Sequence, residues 1–255
     1  MNIARAVGLG LACAVAAGGA QAQPKQYVQV LTVHAKPEGA IDFEAFVKRV
    51  NSAADKVPGA PHTATYQVTA GGPGYTYMIA TYFDRWAETD DVPSPPEILL
   101  KAYGEVEGTR VLRAGRATIE STETAVFHLA PDLSTKPKAY DPPPAYLQVI
   151  RTYVKPDKVQ EWEHLIARYK AAAEQIPEAP TAIRRVSVEG PTNVFITSSP
   201  FNKAAERDAW PGFLDVLKKA YGEEEARELN ERRGECTEHS DMYILKLRPD
   251  LSRLK

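Results

Sequence analysis

Cysteine is scarce in this 255-residue chain: it has two, Cys13 and Cys236. Cys13 sits in an apolar N-terminal stretch. Once that stretch is removed, Cys236 stands alone and no intramolecular disulfide can form. Long hydrophobic runs are missing as well. The one apolar stretch of note, Ala6 to Ala17, is too short to cross a bilayer comfortably, so no membrane span is expected. Positive charge is not in excess. There are 12 basic and 15 acidic residues from Gln23 to Asp141, and 18 of each from Pro142 onward, which argues against nucleic acid or an anionic membrane as partner. No phosphate-binding loop, dinucleotide glycine pattern or Ser-His-Asp order is present. Gly71-Gly72-Pro73-Gly74 is a hairpin loop, because a strand follows it. Cys236-x-x-His239 has ligand-like spacing but lacks a second pair, so no metal site is expected.

The N-terminus has the order of a secretory signal. Arg5 precedes the apolar run, and Ala20-Gln21-Ala22 supplies small residues before a cleavage point at Gln23. Residues 1–22 are therefore read as a signal peptide and the mature protein as periplasmic or secreted. A lipid anchor on Cys13 is disfavoured by Gly10, which stands where a large aliphatic residue is expected.

What is abundant is self-similarity. Tyr27-Val28-Gln29-Val30 recurs as Tyr146-Leu147-Gln148-Val149, and Lys36-Pro37 as Lys155-Pro156. Lys101-Ala102-Tyr103-Gly104 recurs as Lys219-Ala220-Tyr221-Gly222, and Pro131-Asp132-Leu133-Ser134 as Pro249-Asp250-Leu251-Ser252. Order and spacing hold throughout, so the mature chain reads as a tandem duplication. Its parts are a first repeat over 23–135, a proline-rich linker over 136–145 and a second repeat over 146–255.

Each repeat has the same plan. A β run over Tyr27–Ala35 or Tyr146–Val154 is ended by Lys-Pro. An amphipathic helix follows, with Phe43, Phe46, Val47, Val50 and Ala54, or Trp162, Leu165, Ile166 and Tyr169, along one face. His164 falls off that stripe and is read as a surface residue. Two strands come next, about 62–69 and 75–83, or 182–188 and 193–199. Then come a helical region closed by Gly104 or Gly222 and a last strand, about Ala125–Leu129 or Met242–Leu247. Tyr103 and Tyr221 are read as packing residues with a wet hydroxyl. The order βαββαβ is the ferredoxin-like pattern. Its two helices cover one sheet face and leave the other to be buried. The expected fold is α+β: two ferredoxin-like repeats packed sheet to sheet as an intramolecular dimeric α/β barrel.

Val149-Ile150-Arg151-Thr152-Tyr153-Val154-Lys155-Pro156, with Lys158, Glu161 and Trp162, resembles the opening strand and helix of NIPSNAP-like members of the dimeric α/β barrel superfamily. Asp157 stands where those proteins have glycine, and the first repeat departs further. The resemblance implies a barrel whose relatives include cofactor-free monooxygenases, haem enzymes and plain binding proteins, so it does not fix function.

Alternation sorts the first strand of each repeat into two faces. Thr32 and His34, with Arg151 and Tyr153, occupy the face suited to a cavity. His128 and Lys246 are assigned to the interior from the last strands. The expected ligand-binding set is thus Thr32, His34, His128, Arg151, Tyr153 and Lys246, with His34 as candidate general base. Pairing of Arg151 and Lys246 with carboxylates such as Glu189 is the competing account. The function expected is binding of a small anionic or carbonyl-containing molecule. The alternatives are an enzyme using the same cavity, of cofactor-free monooxygenase or isomerase type, and an interaction module with a filled barrel. No cofactor is called for by any motif, and monomer or homo-oligomer stays open.

Overall fold

The computed structural model describes residues 24–136 and 142–254. The expected leader with Cys13, and residues 137–141 of the expected linker, lie outside the described residues. The first half contains β1 (Tyr27–Ala35), α1 (Ala40–Ala54), β2 (Thr63–Ala70), β3 (Thr76–Phe83), α2 (Pro95–Ala117) and β4 (Ile119–Leu129). The second contains β5 (Tyr146–Val154), α3 (Val159–Ala173), β6 (Ile183–Glu189) and β7 (Val194–Phe201). It ends with α4 (Ala204–Asp208), α5 (Phe213–Tyr221), α6 (Glu223–Cys236) and β8 (Thr237–Leu247). No described helix is long and apolar enough to cross a membrane.

The eight strands close into one barrel in the order β1-β3-β2-β8-β5-β7-β6-β4, each pair antiparallel. Each half supplies a ferredoxin-like sheet, β4-β1-β3-β2 or β8-β5-β7-β6. The expected sheet-to-sheet packing is realised as closure: β2 pairs with β8 and β4 with β6, so neither sheet keeps a free edge. Since β1 and β5 run the same way on opposite walls, the axis relating the halves lies along the barrel.

Over most of their length the strands bury both faces, the first part of β4 and much of β8 being exposed. Helix-side faces pack on α1 to α3 and α5 to α6, as in the cluster of Trp162, Leu165, Phe195 and Leu217. Inner faces form clusters that mix the halves, such as Val28, Ala80, Phe127, Val194 and Ile196. Two features differ from expectation. The last strands begin earlier, at Ile119 and Thr237, because their first turns are polar, exposed and carry no apolar signal. A further helix precedes each of them. Gly104 and Gly222 have φ of 77° and 83°, so each ends one helix and starts the next. These charged second helices bury only a narrow stripe, such as Ala226, Leu229 and Cys236. The hydroxyls of Tyr103 and Tyr221 also donate to the Arg49 and Arg168 carbonyls, at 3.2 and 2.9 Å.

The repeated Pro-Asp-Leu-Ser motif has a structural reason. Each copy grips the opposite half. Ser134 Oγ accepts the Arg184 N–H of β6 at 2.8 Å, and Ser252 Oγ accepts the Thr65 N–H of β2 at 2.8 Å. Thr135 then bridges to Ala182, and Arg253 to Thr63. Buried Leu133 and Leu251 seat the two clasps. One clasp is reinforced: Arg248 donates to both Glu44 oxygens, at 2.6 and 2.7 Å, and Tyr77 donates to the same carboxylate at 2.8 Å. At the other seam feature, Gly71 has φ of 82° and a Cβ there would meet the Met242 carbonyl at 1.9 Å, so only glycine lets that turn lie against β8.

Candidate functional site

Register decides which side chains face inward. Val28, Val30 and Thr32 of β1 stand opposite Phe127, Ala125 and Glu123 of β4. Leu147, Val149 and Arg151 of β5 stand opposite Leu245, Tyr243 and Asp241 of β8. These inward residues, Asp241 excepted, enclose a cavity of about 70 Å³ together with Tyr66, Met78, Ala80, Tyr82, Arg185, Ile196 and Ser198. The barrel is therefore not filled by side chains, which removes the filled interaction module. The chamber has mostly apolar walls and holds roughly five water-sized spheres.

Four of the expected residues lie on the inward register and two do not. Thr32 and Arg151 line the cavity on opposite walls. His34 and Tyr153 follow them toward the same end of the barrel. The His34 Nδ1 is 2.9 Å from Thr76 Oγ1. His128 and Lys246 are corrected: both point outward. His128 packs on the Tyr27 ring at 4.8 Å, and Lys246 is exposed. The inner face of the last strands carries Ala125 and Phe127, or Tyr243 and Leu245, and the choice of His128 and Lys246 placed the alternation one residue out.

For Arg151 the competing account, pairing with a carboxylate, holds. Its Nη1 donates to the Tyr153 hydroxyl at 3.1 Å and approaches Glu123 Oε1 at 3.4 Å. The carboxylate it meets belongs to the first half and is not Glu189. Burial works against the Arg151 charge, yet the Tyr153 hydrogen bond and the Glu123 charge hold the guanidinium above its ordinary value. The Arg151 side chain is 16% exposed and that of Glu123 43%, so the cavity opens to solvent beside Glu123.

Sequence reasoning missed Glu123, Tyr243 and Arg185, and weighed His239 only as a metal ligand. His239 stacks flat on Tyr153 at 3.9 Å, while Cys236 is buried in the helix-side core, so the Cys-x-x-His pair is not brought together. Among the described residues no group of three or more metal-ligating side chains forms. Haem does not fit the barrel interior either, since the chamber is far smaller than a porphyrin. Arg185 carried a readable signal. Arg184-Arg185 lies inside a β run, and alternation must send one of two adjacent side chains to each face. Arg184 goes under the helices, where it donates to the Leu133 carbonyl, and burial lowers its pKa to about 10. Arg185 goes into the barrel.

Comparison with known proteins supports the architecture. No protein-family profile matches the chain, and no characterised protein matches it by sequence. Solved structures do match in fold. A chlorite dismutase from Candidatus Nitrospira defluvii in complex with imidazole aligns over 89% of this chain and 92% of its own, with 11% identity and a TM-score of 0.52. An anthrone oxidase-like protein aligns over 92% and 96%, with 14% identity and a TM-score of 0.53. A provisionally assigned monooxygenase from Lactobacillus acidophilus NCFM aligns over 88% and 94%, with 11% identity and a TM-score of 0.50. Together with the closed eight-stranded barrel they place the fold in the dimeric α/β barrel class. At such identities the likeness is one of fold.

Proposed function

We propose that this protein is an enzyme that acts on a small, largely apolar substrate inside the barrel, with Glu123 as general base and molecular oxygen as co-substrate. The observation that carries the reading is the meeting of Glu123 and Arg151 at the open end of an apolar chamber. A carboxylate there can take a proton from a weakly acidic C–H or O–H group. Arg151, steadied by the Tyr153 hydroxyl, stands ready to stabilise the oxyanion that forms. The apolar walls exclude water from that anion. Glu123 thereby replaces His34 as the candidate base, since it lines the chamber itself.

The chemistry balances without an outside reductant. A substrate methylene, R₂CH₂, and O₂ give R₂C=O and H₂O, the substrate supplying all the electrons that reduce oxygen. Fold neighbours described as a monooxygenase and as anthrone oxidase-like favour this over plain binding. The motif matches between halves support descent from one duplicated unit, and the Arg151-Thr152-Tyr153 run supports a NIPSNAP-like lineage. The Ala20-Gln21-Ala22 site supports export, with a mature chain beginning at Gln23.

The test is oxygen uptake with a panel of small carbon acids that carry an activated methylene, such as acetylacetone. The expected result is uptake matched one-to-one by oxidised product, with Glu123→Gln lowering kcat/KM about 100-fold or more at unchanged thermal stability. No uptake across the panel, together with a small molecule retained in native mass spectra, would make the barrel a binding site without turnover.

A further inference from the structure

We propose that Arg185 forms a carboxylate-binding subsite inside the barrel, and that its ligand is a compact monocarboxylic acid with an apolar body. This rests on the reading of the barrel interior as the ligand site, and not on turnover there.

Arg185 lines the cavity and is 5% exposed. Its Nε is fully buried without a hydrogen-bond partner. Among the described residues no carboxylate pairs with it. What it faces is the ring of Tyr82, 5.9 Å from its Cζ. A buried guanidinium left in that state is costly, and natural structures pair such groups. Burial accordingly pushes the Arg185 guanidinium below its ordinary value. The contrast with Arg184, its neighbour under the helices, is informative, since Arg184 has both a carbonyl acceptor and the Tyr169 ring. The contrast with Arg151 is sharper. Both arginines stand opposite Ile196, one on each flanking strand, and face the same chamber. Arg151 has Glu123 and Tyr153, while Arg185 has no counter-charge.

Charge, shape and volume define the missing partner. The lining holds two guanidinium groups and one carboxylate, so one further negative charge balances it. The planar fork of a guanidinium matches a carboxylate through two parallel hydrogen bonds. The walls beside it, Val28, Phe127, Leu147 and Ile196, suit a short hydrocarbon body, and a chamber of about 70 Å³ excludes a large one.

The test uses the whole ¹⁵N-labelled protein, following the Arg185 Nε–H resonance while butyrate, its neutral isostere butyramide, or chloride is added. Butyrate is expected to shift that resonance saturably, and equal concentrations of butyramide or chloride are not. Arg185→Met is expected to weaken butyrate binding at least tenfold and, in the absence of butyrate, to raise the melting temperature by about 2–4 °C by removing an unpaired buried charge. Butyrate binding unchanged in Arg185→Met, equal responses to butyramide or chloride, or no response at all would each overturn the proposal. If Arg185→Met fails to fold, the three titrations of the native protein decide. Butyrate binding without oxygen uptake would defeat the enzymatic reading and leave this one standing, whereas oxygen uptake with an Arg185 indifferent to butyrate would do the reverse.

Discussion

The two halves share a backbone plan but furnish the barrel with different chemistry. Where the first half places Thr32, the second places Arg151; where the first has Tyr66, register puts Arg185 in the second. The first half supplies the one carboxylate lining the chamber, Glu123, and buried phenols such as Tyr66, whose hydroxyl burial pushes well above its ordinary value. The second supplies the cations. Repeated residues hold the scaffold, as the two Pro-Asp-Leu-Ser clasps do, and unlike residues at matched positions make one polarised chamber from two similar walls. Symmetry of fold thus coexists with asymmetry of charge, and the asymmetry is what a binding site needs.

The clasps offer the largest way to break that comparison. Leu251 is fully buried and Leu133 nearly so, at 7% exposed. Leu251→Ala is expected to cost about 4 kcal/mol and Leu133→Ala about 3 kcal/mol, read from urea unfolding midpoints with unchanged slopes. Equal losses would mean that the seams are energetically equivalent despite the extra Arg248 contacts at one of them.

A smaller effect separates Glu44 from its second-half counterpart, Glu163. Arg248, then Tyr77, hold the Glu44 carboxyl below its ordinary value of 4.5 against the opposing effect of burial. A depressed folded value means that this stabilisation is present above about pH 4.5 and is lost as pH falls through the folded value. Glu44→Gln is expected to cost about 2 kcal/mol at neutral pH and to flatten the acid limb of the stability curve. Glu163→Gln is expected to stay within about 0.5 kcal/mol, because among the described residues it meets no such clasp. Matching pH profiles for the two variants would contradict the assignment.

The smallest expected effect sharpens the map of the inner face. Lys246→Ala, on the outer face, should change stability by less than about 0.5 kcal/mol and leave any ligand affinity in the barrel unaltered. An affinity loss from Lys246→Ala, measured by calorimetry, would mean that the inward register is wrong.

Much of the architecture was legible because repetition and alternation are long-range signals. The first strands, Tyr27–Ala35 and Tyr146–Val154, appear with the expected boundaries, since β-branched and aromatic residues fill them and Lys-Pro ends them. The charged helices after Gly104 and Gly222 were not legible, because three or so buried residues per helix leave little periodicity. The inward face of the last strands was ambiguous for a different reason. Val126 and Phe127, or Ile244 and Leu245, are apolar on both faces, as a strand covered by helices outside and a chamber inside must be. Polar outliers such as His128 and Lys246 then misdirect the assignment. The Glu123–Arg151 meeting joins residues of different repeats, and no local spacing encodes it.

The clasp formed by Leu251 to Arg253 also bears on how the chain is made. It seals a strand synthesised some 187 residues earlier, whereas the clasp of Ser134 waits only 50 residues for its partner. Contacts of such sequence separation form late and slowly, because the intervening loop must first be closed. The first sheet can form from its own strands, yet the far edge of β2 stays unpaired until β8 joins it. Barrel closure is therefore expected to come late in folding, and until then the unpaired edge of β2 is open to misassembly with neighbouring chains.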